Sequence, residues 1–396
     1  MSLMNENVSP VSGTSLLRVG KAHSLHDLVT EVVRHNNGFN AERMTSVAIV
    51  GAGPEGERLA EICSARGTKI EAVADDDPAK LGTTILGLKV ESSSGLERLN
   101  RATPIIIASH RVLGATQKLR ALGFSTVLPF AALQALSPDV FKPHMFYDGW
   151  LKDLLDNKQH YNWLNAELAD DRSRQVLDAV IGYRLTADPV VLAEVIDRGR
   201  HYQGLYHPAG LFEFTDSEVY VDAGAYDGDS IRWFIDRVAN CYQRILAFEP
   251  DPKTYARLKN NFAGQHHIQL INAGLHRQKA VLQFRNDASR GAIFTDDGDS
   301  SIEVVSLDDV LGGERASFIK MNIEGAEIDA LYGGRGTIER WMPKLALSVY
   351  HRPSDLWRIP RIVREFSSQY DLFLRQHDGG VIETVLYAIR RSTGAI

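Results

Sequence analysis

The stretch EVYVDAGAYDGDS, Glu218–Ser230, decides how this chain is read. Its first half alternates valine and tyrosine up to Asp222, and its second half is a turn punctuated by Gly224 and Gly228. The helical pattern SIRWFIDRVA follows directly. Strand, glycine turn and helix open a parallel α/β unit. Glycines in such a turn let backbone approach a ligand closely, and open parallel sheets bind ligands beyond the carboxyl ends of their strands. Asp222, Gly224, Ala225, Tyr226, Asp227 and Ser230 are therefore candidate binding residues.

Working outward, RILAFEPDP is a second strand that ends in Glu249 and Pro250, with Glu249 27 residues beyond Asp222. A carboxylate at that place can accept hydrogen bonds from both hydroxyls of a ribose. A third strand, IQLINAGL, ends at Asn272 and Ala273. No lysine-serine phosphate loop follows the turn, which also departs from GxGxxG, and Asp222 and Asp227 would repel a pyrophosphate. A ligand with a ribose and no phosphate suits these residues. S-adenosylmethionine is one: a nucleoside carrying a sulfonium cation and an amino acid.

In FIKMNIEGAE, Phe318–Glu327, the residues Lys320, Asn322 and Glu324 occur at every second position. Side chains alternate along a strand, so the pattern predicts that all three share one face, lining the cleft or forming a buried network beneath it, before Gly325 closes the turn. KLALSVYH brings His351 to the end of the next strand. Methyl transfer is an in-line displacement governed by positioning, and a hydroxyl acceptor must also lose a proton. His351, Glu324 and Lys320 are the catalytic candidates, with His351 the expected base. Asp308 and Asp309 are alternatives that equally suit a helix N-terminus. His266 and His267 read as solvated, and no metal-ligand spacing is evident, so no metal is expected.

Taken in order, EVYVDAGAYDGDS, AFEPDP, VVSLDDV, FIKMNIEGAE and SVYHRPSDLWRIP resemble the FkbM-type methyltransferases over residues 205–390. The lead-in LADDRSRQVLDAVIGYRL is similar to that of larger members. The resemblance implies a class I, Rossmann-like methyltransferase domain that uses S-adenosylmethionine. It implies that the loop Asp222–Ser230 holds the methionine part, Glu249 the ribose, and Asn272 and Ala273 the adenine surroundings. The sequence departs from the family at Asn322, where an aspartate is usual, and this removes one carboxylate from the strand.

A second alternating unit precedes this one. SVAIVGAGPEGERLAEICSARG carries Gly51, Gly53 and Gly56 as GxGxxG after a strand and before a helix, and ADDDP adds Asp75 and Asp76 near the ribose offset. The segment resembles the nucleotide-sugar-binding domain of bacterial sugar acyltransferases, without their β-helix. The resemblance implies either retained binding of a nucleotide-linked sugar or a scaffold role.

The expected architecture is α/β. Two Rossmann-like doubly wound domains, 44–142 and 205–396, are joined by a helical connector at 143–204. A polar tail, 1–43, carries one short helix in SLHDLVTEVVRH, capped by Ser24. The formal net charge of −6 gives no basic footprint for nucleic acid. The two cysteines, Cys63 and Cys241, form no disulfide framework or CxxC pair. No signal-peptide pattern or membrane-length apolar run is present, so a cytoplasmic protein without a membrane span is expected. The sequence leaves homo-oligomerisation open. The expected function is O-methylation, by S-adenosylmethionine, of a hydroxyl on a saccharide or a glycosylated or polyketide-type metabolite. The rival readings are a non-catalytic module for nucleotide-type ligands and an NAD-dependent oxidoreductase run by the first domain.

Overall fold

The computed structural model describes residues 14–109, 111–197, 208, 210–286, 292–294, 300–380 and 382–391. The first unit holds β1 (Ser46–Val50), β2 (Lys69–Ala74), β3 (Thr84–Ile85), β4 (Leu88–Glu91), β5 (Ile105–Ile107) and β6 (Val127–Pro129). They form one sheet in the order β3-β4-β2-β1-β5-β6, parallel except for the short edge strand β3. The centre of this sheet is buried on both faces, which is why β1 and β5 are runs of apolar residues.

The second unit holds β7 (Val219–Ala223), β8 (Arg244–Phe248), β9 (Ile268–Ile271), β10 (Gly274–Leu275), β11 (Ala280–Asn286), β12 (Ala292–Phe294), β13 (Ser300–Val305), β14 (Phe318–Met321), β15 (Lys344–Ser348), β16 (Tyr370–Gln376) and β17 (Thr384–Arg390). Its main sheet has the order β16-β17-β15-β14-β7-β8-β9. The run from β15 to β9 is parallel, and β17 enters antiparallel beside β15. Chain order reverses between β7 and β14, so the crevice beyond their carboxyl ends is the topological switch point where such sheets bind ligands. The strands β10 to β13 form a separate small sheet in the crossing region.

One expectation fails here. β14 ends at Met321, so Lys320, Asn322 and Glu324 do not share a strand face. Lys320 is in the strand, whereas Glu324 adopts φ +55° and Gly325 φ +91°. The cause is local: Glu327 accepts a hydrogen bond from the Ile323 amide at 2.8 Å and pulls the chain out of the ladder. Within the expected helical connector, PVVLAEVID forms only a 3-10 turn, Pro189–Leu192.

The connector belongs physically to the second sheet. The helix Asp171–Thr186 lies along β16, the Leu374 amide donates to Ser173 Oγ at 2.9 Å, and Arg375 pairs with Asp170 at 2.7 Å. Against the same helix pack two helices, Thr14–Lys21 and Leu25–His35. Ser24 caps the second in a reciprocal capping box with Asp27, as its sequence predicts. Leu28 and Val32 are buried beneath it, so the described part of the tail is docked and not loose. Residues 1–13 of that tail lie outside the described residues.

Candidate active site

The turn after β7 is shaped by close backbone approach. Gly224 has φ +80°, and a Cβ there would collide with the Asn322 carbonyl oxygen, so the turn leaves no room for any side chain. The loop is held from two sides. Lys320 Nζ donates to the Gly224 carbonyl at 2.8 Å and the Ala223 carbonyl at 3.3 Å, and it pairs with Asp222 Oδ1 at 2.9 Å. Ser230 Oγ donates to the other Asp222 oxygen at 2.5 Å. Asp222, Lys320 and Ser230 are all buried, so they brace the turn from beneath. In this arrangement the side chains of Asp222, Ser230 and Lys320 are engaged with one another and with the backbone of the turn.

Glu249, at the end of β8, clasps the loop from the other side. Its two oxygens accept from the Tyr226 amide at 3.0 Å and the Asp251 amide at 2.9 Å. Burial pushes its carboxyl up to about 7, against the pull of the two amides. Tyr226 has φ +49° and is exposed, its ring beneath the Arg257 guanidinium at 5.4 Å. Asp227 pairs with Arg232 at 2.9 Å. Asn272 donates from its side chain to the Glu249 carbonyl at 2.8 Å and the Pro250 carbonyl at 3.2 Å, and Ala273 is buried beside it. Glu249, Pro250, Asn272 and the turn thus form one connected rim.

The opposite rim is built from the turns after β14 and β15. His351 is fully buried. Its Nδ1 lies 3.0 Å from Glu327, at ion-pair range but without hydrogen-bond alignment, and its Nε2 lies 3.7 Å from Glu324. Burial opposes charge on the imidazole, but the carboxylates of Glu327, Glu324 and Asp355 outweigh it and raise the group to about 9. That direction favours the imidazolium, whereas a base must be free of its proton to accept another. Glu324 keeps a quarter of its side chain exposed, and its carboxyl is raised by burial, opposed by His351. Asn322 accepts from the Tyr350 hydroxyl at 3.3 Å. Asp308 accepts from the amides of Gly336 and Thr337 and so caps a helix. His266 and His267 are exposed. Among the described residues no group of three or more His, Cys, Asp or Glu side chains is arranged to hold a metal ion.

Several residues of this rim escape a sequence reading. Glu327 and Asp355 look like ordinary helix-start acids, and only the fold turns them toward His351. Phe146 comes from the connector, where no catalytic cluster is evident in sequence, yet its ring sits 5.7 Å from His351 and 5.8 Å from Tyr350. Spacing did carry one signal for Glu327: it follows Glu324 by three residues, in the same quoted stretch.

The first unit repeats the clasp. Gly56 fits tightly against the Gly51 carbonyl, and Gly53 precedes the helix Pro54–Ala65. Asp75 accepts from the Ala52 amide at 2.8 Å and from Lys80 at 3.0 Å. This acid stands 23 residues from the amide it holds, the same separation as Glu249 from Tyr226. Asp76 is turned away, accepting from Ser93 and Lys118, which draw its carboxyl down to about 2 against burial. Asp75 is thus already engaged with the turn, and Asp76 does not face it. A shallow hollow of about 690 Å³ lined by Val73, Leu81, Leu88, Lys89, Glu91 and Arg98 lies on this sheet.

Residues 222–378 match the family described as the methyltransferase FkbM domain, and residues 42–127 match the CoA binding domain family. A crystal structure of methyltransferase FkbM from Methylobacillus flagellatus KT superposes with a TM-score of 0.71 at 27% identity, covering 95% of this chain and 98% of that one. The 2-O-methyltransferase NoeI of Sinorhizobium fredii is 25% identical over 146 residues, covering 31% of this chain. The chain spans 59% of that curated relative's length.

Proposed function

With residues 222–378 matching the FkbM methyltransferase domain, we propose that this protein is an S-adenosylmethionine-dependent O-methyltransferase. The observation that carries the reading is the crevice at the β7/β14 switch point. There a glycine turn without room for a side chain is clasped by a buried carboxylate at the end of the neighbouring strand. The residues fit the donor. Each Glu249 oxygen accepts one amide and has a second lone pair for a ribose hydroxyl. Asn272 and Ala273 border the adenine side, and the turn from Gly224 to Asp227 offers backbone and the Tyr226 ring to the methionine side. Asp222 and Ser230 act beneath the turn as its support.

Bound S-adenosylmethionine supplies an electrophilic methyl: an O–C bond to the acceptor forms as the S–C bond breaks, its electron pair staying on sulfur. The chain's own residues hold the two reactants in line and remove the hydroxyl proton at the rim formed by Glu324 and His351. The acceptor is a hydroxyl on a saccharide or a glycosylated or polyketide-type metabolite; transfer to oxygen is the part that the 2-O-methyltransferase relative supports. The first unit serves as an accessory domain, for a nucleotide-type ligand or for assembly.

Calorimetry with S-adenosylmethionine, S-adenosylhomocysteine and NAD tests the reading. The first two are expected to bind and to raise the melting temperature, and Glu249→Ala to abolish both effects. Binding of NAD alone, or donor binding undiminished in Glu249→Ala, would overturn it.

A further inference from the structure

Within the methyltransferase reading, on which this inference rests, we propose that Glu324 is the group that takes the acceptor's proton. In this assignment His351 is the buried countercharge that keeps Glu324 ionised, and Glu327 is the positioning residue that holds His351.

Access argues first. His351 has no exposed surface, its ring is packed against Tyr350 at 4.3 Å and Phe146 at 5.7 Å, and each ring nitrogen faces a carboxylate. No acceptor hydroxyl can reach either nitrogen without displacing one of them. Glu324 is the member of the group that retains exposure, and it lies at the carboxyl end of β14, beside the switch point. It is also a non-glycine residue at φ +55°, followed by Gly325 at φ +91°. A left-handed glutamate is a local cost that a helix-capping or solvated role does not need, and such outliers cluster where geometry serves function.

Charge argues second. Glu324 faces Lys320 from β14, Glu327 from the helix Glu327–Gly333 and His351 from the turn after β15. His351 also faces Asp355 from the helix Asp355–Phe366, and from the connector it meets the Phe146 ring. Tyr350, beside it, faces Glu383. Both His351 and Lys320 favour the ionised Glu324, His351 the more strongly, and the Lys320 nitrogen is shared with Asp222 and two carbonyls. Burial favours the protonated carboxyl, and a carboxyl that keeps its proton accepts none. The imidazolium offsets that burial, and Glu327, wholly buried and fixed by the Ile323 amide, secures the imidazolium. In the reaction the hydroxyl proton passes to a Glu324 oxygen as the oxygen's electron pair forms the new bond. The proton leaves by the exposed edge of that carboxylate.

The test uses the full chain with carbon-13 in its glutamate carboxyls, titrated by NMR, with Glu324 assigned by its loss in Glu324→Gln. In His351→Gln the Glu324 midpoint is expected to rise by about one unit or more, the effect of losing an opposite charge at this range. An unchanged or lowered midpoint overturns the proposal. Should that variant fail to fold, Glu327→Gln with nitrogen-15 histidine gives the second reading. The His351 midpoint is expected to fall by about one unit or more, and an unchanged value overturns the positioning role. With labelled S-adenosylmethionine and a methyl glycoside that accepts the label, His351→Gln should move the acid limb of the rate profile upward and recover at alkaline pH. Glu324→Gln should stay inactive throughout. The reverse pattern overturns the assignment. Donor binding to the unaltered chain is read separately by calorimetry. Its absence removes the methyltransferase reading, while the carboxyl titration still decides the role of His351.

Discussion

Glu249 links the rim to pH. Its folded carboxyl sits at about 7, above the ordinary glutamate value, because burial disfavours its charge. A raised carboxyl stabilises the folded state below its unfolded value, and that contribution fades as pH rises through about 7. A ribose diol donating to the ionised form reverses the preference. Donor affinity is therefore expected to weaken roughly tenfold per pH unit below the midpoint, with proton release on binding near neutral pH. Calorimetry in buffers of different ionisation enthalpy checks both, and a pH-independent affinity between pH 5.5 and pH 8 would count against the ribose contact. Gly224 gives a second expectation. Gly224→Ala forces a Cβ into the Asn322 carbonyl at a left-handed φ, so it should cost about 1–3 kcal/mol in urea unfolding and remove donor binding. Of these residues, Glu249 and Gly224 were legible from a strand end and a turn. The surroundings of His351 were not, because Glu324 and Glu327 come from the turn after β14 and only the fold sets them beside the segment that carries His351 and Asp355.

The strand β14 shows what a buried ion pair does for a neighbouring loop. Lys320 and Asp222 face each other across the β14/β7 ladder, both buried, and the lysine's remaining donors hold the carbonyls of Ala223 and Gly224. Removing one partner leaves the other as an unpaired buried charge, so Lys320→Met should cost about 3–5 kcal/mol. Lys320→Met with Asp222→Asn should recover part of that loss, while donor binding stays weak because the turn has lost its brace. Urea unfolding with donor titration checks the pair, and equal stability of the single and double variants would show no coupling. The parallel strands were readable as short apolar runs, and β1, β2, β7 and β8 carry a glycine or an acid at or just past their ends. The end of β14 was not. Period-two spacing through Glu324 mimics a strand, and the contact that breaks it, Ile323 to Glu327, is a side chain turning back on its own backbone.

The N-terminal helices and the connector bind the two α/β units into one packed body. Asp178 accepts the Ser15 amide at 2.8 Å across 163 residues, and Asp188 receives both His35 at 3.0 Å and Arg120, from the helix Val112–Ala121 of the first unit, at 3.0 Å. Such pairs have no local signature, which is why the sequence shows a polar tail and a helical connector without showing that they dock together. The buried Val19, Leu28 and Val32 contribute the apolar part of the docking. At about 1.5–3 kcal/mol for each fully buried side chain, upper values because the unfolded chain already buries some of that area, the strap is worth several kcal/mol. A chain beginning at residue 41 is therefore expected to unfold at clearly lower urea. It should also expose the helix Asp171–Thr186 to proteolysis, whereas Leu25→Ala, at an exposed position of the helix Leu25–His35, should change little. The connector supplies Phe146 to the His351 rim and rests on β16, so a fragment beginning at residue 205 should bind donor weakly or fail to fold. One beginning at residue 143 keeps those contacts and should do better. Soluble, donor-binding protein from the 205 fragment, at the affinity of the full chain, would show that the rim needs nothing from the connector.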